Sequence, residues 1–192
     1  MKKKICLLII FILGSALLAQ EKKETLIVKP SPNCAFDIGL FIWMLEDTRS
    51  RTKGSLEGIS QMVLDWDGSP GGNCIGSMLY HIAAIEMSWL FSEILQSNFT
   101  PEIEKLFPYE VRDEKGRLSV VKGVCIGEHV QRLDETRKYF LDVLLEMSID
   151  EFRRIRELEK YDINCEWVVH HLIQHEAEHR GQILEVRRLA EN

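Results

Sequence analysis

The stretch Trp167-Val168-Val169-His170-His171-Leu172-Ile173-Gln174-His175-Glu176-Ala177-Glu178-His179-Arg180-Gly181-Gln182-Ile183 decides how this chain folds. A helix turns about 100° per residue. With Val168 as the reference direction, Leu172 lies at about +40°, His175 at −20°, His179 at +20°, Ile183 at +60° and Val186 at 0°. Two imidazoles one turn apart therefore occupy the middle of an apolar stripe. The pattern predicts an amphipathic helix whose histidines face the core. Asp162 or Asn164 can cap its start, and the pattern continues to about Ala190.

Three more long helices precede it. Ile38, Phe41, Ile42 and Leu45 mark one face of a helix from Ala35 to about Thr52. Gly54 and Gly58 weaken the helical pattern beyond it, although Leu56, Ile59 and Val63 suit a short helix. The Gly-Ser-Pro-Gly-Gly run at 68–72 is a turn, and Asn73 is a suitable N-cap for a second long helix, Cys74 to Gln96. Pro101 and Pro108 interrupt the next stretch, and Tyr109 to Val121 reads as a small hairpin around Asp113 to Gly116. A third helix spans Ile126 to Met147. Ser148 and Glu151 then form a capping-box pattern for a short helix to about Lys160. The expected fold is an all-α four-helix bundle with long inter-helix connections and a small excursion between helices 2 and 3.

Composition agrees with one globular domain. The chain has 192 residues, and its 45% hydrophobic content suffices for a core. Lys2, Lys3 and Lys4 precede an apolar run from Ile5 to Ala19, the layout of a secretory signal peptide over residues 1–20. Residues 21–33, ending in Pro30 and Pro32, read as a tether, and residues 34–192 as the bundle. The expected destination is the periplasm or the exterior, the alternative being an uncleaved N-terminal membrane anchor. Losing the three lysines takes the formal net charge from −6 to −9, which disfavours nucleic acid as a partner. Cys34, Cys74, Cys125 and Cys165 allow either disulfides or small buried thiols.

The histidines carry the chemistry. A His pair at i, i+4 sets two rings side by side, able to share one ion. Apolar surroundings disfavour imidazolium and keep both rings in the neutral state that a metal needs. His81, midway along the second helix, is the best third ligand, with Cys74, Met78, Ile85 and Ser88 near its direction. Three imidazoles with an open position suit zinc, nickel, iron or manganese. His171, at about −60°, is a further ligand, a partner to a ligand or a cofactor or substrate contact. His170 points away and His129 has no evident partner.

His175-Glu176-Ala177-Glu178-His179 also spells the H-E-x-x-H motif of zinc proteases. Position 185 is Glu rather than the further His of the metzincin form, and only thirteen residues follow His179, too few for a protease subdomain. Glu176 at about +80° and Glu178 at about −80° flank the pair. Either carboxylate is a candidate catalytic base, or a helix residue in a salt bridge.

Trp167 to Ile183 resembles the C-terminal signature of the DinB/YfiT-like metalloproteins, with His179-Arg-Gly-Gln-Ile183 its most specific string. Ile75 to Trp89 resembles that family's second-helix motif. The resemblance implies a four-helix bundle, metal ligation by His81, His175 and His179, and frequent homodimers, for which Ile173 and Leu184 leave apolar surface on the far side of the last helix. It also implies activities such as thiol-dependent S-transfer on a small-molecule substrate with a low-molecular-weight thiol. Such thiols are scarce outside the cytoplasm. The expected function is thus a metal-dependent transferase or hydrolase, the alternative being a non-enzymatic metal-binding or interaction bundle.

Overall fold

The structure, a computed structural model, describes residues 26–68 and 71–192. The export signal proposed from the sequence lies outside them. No helix among the described residues is long and apolar enough to cross a membrane.

Four long helices dominate: α1 (Phe36–Gly54), α3 (Ile75–Trp89), α5 (Ile126–Leu145) and α7 (Cys165–Ala190). α3 widens into a π-helical turn over Leu90–Leu95, which ends where Gln96 takes a left-handed conformation. Short elements link them: α2 (Gln61–Leu64), α4 (Pro101–Glu104), α6 (Ile149–Arg153) and the hairpin β1 (Arg156–Glu157) and β2 (Asp162–Ile163). The all-α bundle expected from the sequence is the observed architecture.

Each of α1 and α3 packs on both α5 and α7. α3 runs antiparallel to α7, since Trp89 meets Trp167 while His81 meets His175 and His179. It runs parallel to α5, with Glu86 on Arg137 and Phe91 on Tyr139. Parallel neighbours need a return path, which explains the long excursion over residues 96–125.

The core falls into two apolar clusters. Ile42, Leu45, Met87, Phe91, Phe140, Val168 and Leu172 belong to one. Leu79, Ile82, Leu133 and Ile183 belong to the other. Between them lies a layer of buried charge to which every long helix contributes one residue: Arg49, Glu86, Arg137 and Glu176, all at most 4% exposed. Arg49 Nε donates to Glu176 Oε1 at 2.8 Å and its Nη2 to Glu86 Oε2 at 3.2 Å. Arg137 Nε donates to Glu86 Oε1 at 2.6 Å and its Nη2 to Glu176 Oε2 at 2.9 Å. Spare donors reach backbone carbonyls, Arg49 to Leu133 and Arg137 to Leu45. Thr136 donates its hydroxyl to Glu86.

Burial opposes the charge on Arg49, but Glu86 and Glu176 outweigh it and hold the guanidinium above its ordinary pKa. Burial likewise works to raise Glu176, and Arg49 and Arg137 overcome it, so its pKa falls below the usual carboxylate value. Two cations and two anions leave the layer formally neutral.

Several local expectations shift. Cys74, not Asn73, is the N-cap of α3, its Sγ accepting from the Ser77 N–H at 3.4 Å. Asn164 caps α7 through the Trp167 N–H at 2.8 Å. Ser60 caps a single turn, α2, because Gly58 at φ +69° ends any helix begun near Leu56. Ser148 caps α6 as its motif indicates, yet that helix stops at Arg153 instead of reaching Lys160. Arg156 turns inward there, donating to the Ile94 carbonyl and to Glu151, and the chain becomes a hairpin. The Tyr109 to Val121 excursion holds one antiparallel bridge, Arg112 to Leu118. All four described cysteines are free thiols.

Removing one member of the charged layer strands its partners. Glu176→Ala is expected to cost about 3–5 kcal/mol. Replacing all four residues together by apolar side chains of similar volume should cost less than that single change. Urea denaturation of both variants checks this, and a Glu176→Ala loss under about 1 kcal/mol contradicts it.

Candidate metal centre

α3 supplies His81, which is 1% exposed, and α7 supplies the half-buried pair His175 and His179. The i, i+4 spacing places the α7 rings 4.6 Å apart between centroids, and each lies 5.1 Å from the His81 ring. One nitrogen from each of the three gathers within 4.8 Å of the others, the only such His/Cys/Asp/Glu group among the described residues. His81 Nε2 and His175 Nε2 stand 3.2 Å apart. Tetrahedral coordination with metal–nitrogen bonds of about 2.0–2.1 Å separates neighbouring ligand nitrogens by about 3.3 Å. The residues present therefore fit a divalent ion.

His179 has an orienting partner. Its Nδ1 lies 2.9 Å from Gln182 Oε1, an acceptor, which assigns the proton to Nδ1 and leaves Nε2 with its lone pair free. His81 Nδ1 is buried without a protein partner.

Burial, then the neighbouring rings, push His81 down to about 3 and His175 down to about 4. His179 is lowered too, burial outweighing Gln182 and Glu178, which act to raise it. The Arg112 guanidinium, on the excursion between α3 and α5, adds to the lowering at all three. All three rings are neutral at pH 7, with lone pairs available.

The two flanking carboxylates part company. The helical wheel sets Glu176 beside the pair as a candidate base, but the structure gives both its oxygens to Arg49 and Arg137. The gap between the charged layer and His175, lined also by Ile82 and Leu172, is too small to admit water. A carboxylate held this way has a structural part in the protein. Glu178 is exposed, and its charge acts on His171 and His179. His171 adjoins the three-nitrogen group without joining it: its ring lies 5.9 Å from that of His175, stacks on Trp167 at 5.2 Å and 10°, and meets Trp89 at 4.9 Å. His170 is exposed. His129 is buried against Gly76, both ring nitrogens unpartnered.

Sequence reading passed over four features: the charged layer, Arg112, Gln182, and the two tryptophans around His171. Trp167 precedes His171 by four residues, a spacing that does place their rings on one helix face. Nothing local announces Arg112.

Fold and site together define a four-helix bundle with a cross-helix histidine cluster, His81 on α3 against His175 and His179 on α7. A family model described as the DinB superfamily matches residues 44–183, most of the chain. This protein belongs to the DinB superfamily. Among solved structures it is similar to a conserved protein from Enterococcus faecalis, with a TM-score of 0.64 and 14% identity, covering 79% of this chain and 95% of that one. That likeness speaks to the fold alone. No curated protein matches the chain.

The lowered pKa values fix a pH dependence. Above the unfolded value of about 6.5 these imidazoles are neutral in both states. Below it the unfolded chain takes up protons that the folded chain refuses, so stability falls with falling pH. The metal-free protein should lose stability from about pH 6.5 toward the folded values near 4 and 3 of His175 and His81. His129, also pushed down by burial to about 4, adds to the same window. Thermal melts between pH 7 and pH 4 check the sign, and a flat profile contradicts it.

Proposed function

We propose that this chain binds one divalent metal ion through His81, His175 and His179 and is a metal-dependent enzyme acting on a small molecule. The observation that carries the reading is the convergence of three neutral imidazole nitrogens, from two helices, within 4.8 Å. A surface histidine cluster would be expected to titrate near its ordinary value, whereas here burial keeps the rings deprotonated.

An enzymatic role is favoured over a purely structural ion by the position of His171. A structural site closes its coordination with four protein ligands, and a catalytic site keeps a place open. His171 is the one further histidine on this face of α7, and its ring is engaged by Trp89 and Trp167 instead. When bound, such an ion supplies Lewis acidity and lowers the pKa of a water or thiol, supporting hydrolysis or S-transfer. The chain's own residues hold the ion, and Gln182 fixes the tautomer of His179. Arg112 places positive charge near the imidazoles, and Glu178 is the carboxylate left free to accept a proton. Export, read from the N-terminal sequence, favours hydrolysis over chemistry that needs a cytosolic thiol pool. The zinc, nickel, iron and manganese ions remain the candidates.

The test is metal content after loading with each ion and desalting. One equivalent per chain is expected for the wild type and a stoichiometric loss for His175→Ala, measured by elemental analysis. Retention by Glu178→Gln separates ligation from proton transfer. At free metal 100-fold above its Kd the ion should stabilise the fold by about 2.7 kcal/mol, which chelation removes. No retained metal in the wild type, or equal content in His175→Ala, refutes the reading.

A further inference from the structure

α7 carries an aromatic ring at four successive turns: Trp167, His171, His175 and His179. The last two face His81. Trp167 and Trp89 belong to another feature. Their rings meet at 5.6 Å and 49°, both touch His171, and with Tyr161, Asp162 and Ile163 of the hairpin end they line a cavity of about 380 Å³.

Hydrogen bonds anchor two of these walls, Trp167 through its backbone and Tyr161 through its hydroxyl and carbonyl. The Asn164 side chain caps α7 by accepting from the Trp167 backbone N–H. Trp89 is the last residue of α3 before the π-helical turn. The Tyr161 hydroxyl donates to Glu93 at 3.2 Å, and the Tyr161 carbonyl accepts from the Leu158 N–H at 3.1 Å. Yet Trp167 is 48% and Tyr161 45% exposed. Aromatic surface is thus kept open to solvent on a fixed frame.

The chemistry of the lining is specific. Two indoles and a phenol line it, and Asp162 is the one charged residue among the cavity's lining residues. Glu93 adds a second carboxylate behind the phenol. No cationic side chain is among the residues lining it. Aromatic faces with carboxylates nearby attract a weakly hydrated cation, whereas a neutral apolar guest would gain nothing from Asp162.

We propose that this cavity binds an organic cation of the quaternary ammonium class. The cationic head lies against Trp89, Tyr161 and Trp167, with Asp162 balancing its charge. The cavity shares no lining residue with the three-histidine group, so the assignment stands apart from the metal reading.

Choline and its neutral isostere 3,3-dimethyl-1-butanol are the probes, titrated into metal-free and metal-loaded protein by calorimetry and tryptophan fluorescence. Choline should bind saturably to both forms, and the neutral alcohol about tenfold more weakly or not at all. Trp167→Leu should abolish choline binding, and Asp162→Asn, a surface change that leaves the fold intact, should weaken it by about threefold or more. Equal binding of the two probes identifies a merely apolar pocket and overturns the proposal. So does absence of saturable choline binding, or an Asp162→Asn affinity equal to wild type.

Discussion

The four-residue layer of Arg49, Glu86, Arg137 and Glu176 fixes the arrangement of the bundle. Apolar contacts are tolerant of sliding and rotation, because one leucine can replace another in a groove. A guanidinium that must meet two carboxylates at 2.6–3.2 Å is not tolerant. Each long helix brings one member, so the layer sets the height and rotation of all four at once. Ionic layers of this kind add little net stability over apolar packing, and a misaligned alternative that left any member unpaired would be heavily penalised.

The candidate metal centre inherits that alignment. Glu176 follows His175 directly, and Glu86 lies five residues beyond His81. Locking those glutamates between two arginines brings the imidazoles from α3 and α7 face to face, and the apolar residues on either side hold them neutral. The same sequence string thus performs two tasks on adjacent residues. His175 faces His81 across the bundle, and Glu176 faces the arginines of the charged layer.

Much of this was legible in the chain. The stripe on Val168, Leu172, His175, His179 and Ile183 placed both histidines on the buried face of α7, and the start and end of each long helix lay within a few residues of the observed limits. His81 was readable as a histidine on a buried face. Glu176 was not, because a helical wheel shows direction and not depth. At about +80° it reads as a flank, and only the arginines of α1 and α5, distant in sequence, make a buried carboxylate tolerable. Nothing local marks Arg49 or Arg137 as buried, for the same reason. The hairpin after α6 was hidden because Arg156, a residue of high helix propensity, is drawn inward by the Ile94 carbonyl, a tertiary interaction that overrides local preference.

The two halves of the histidine group are separated by 94 positions in the chain. Bridging so long a span carries a chain-entropy cost, and helices α1, α3 and α5 are all synthesised before α7 supplies its pair. The centre can therefore come into being only as the final helix docks. An ion held there would join a chain whose other long helices have already been made, and which ion took the position would depend on what is available where that last docking happens.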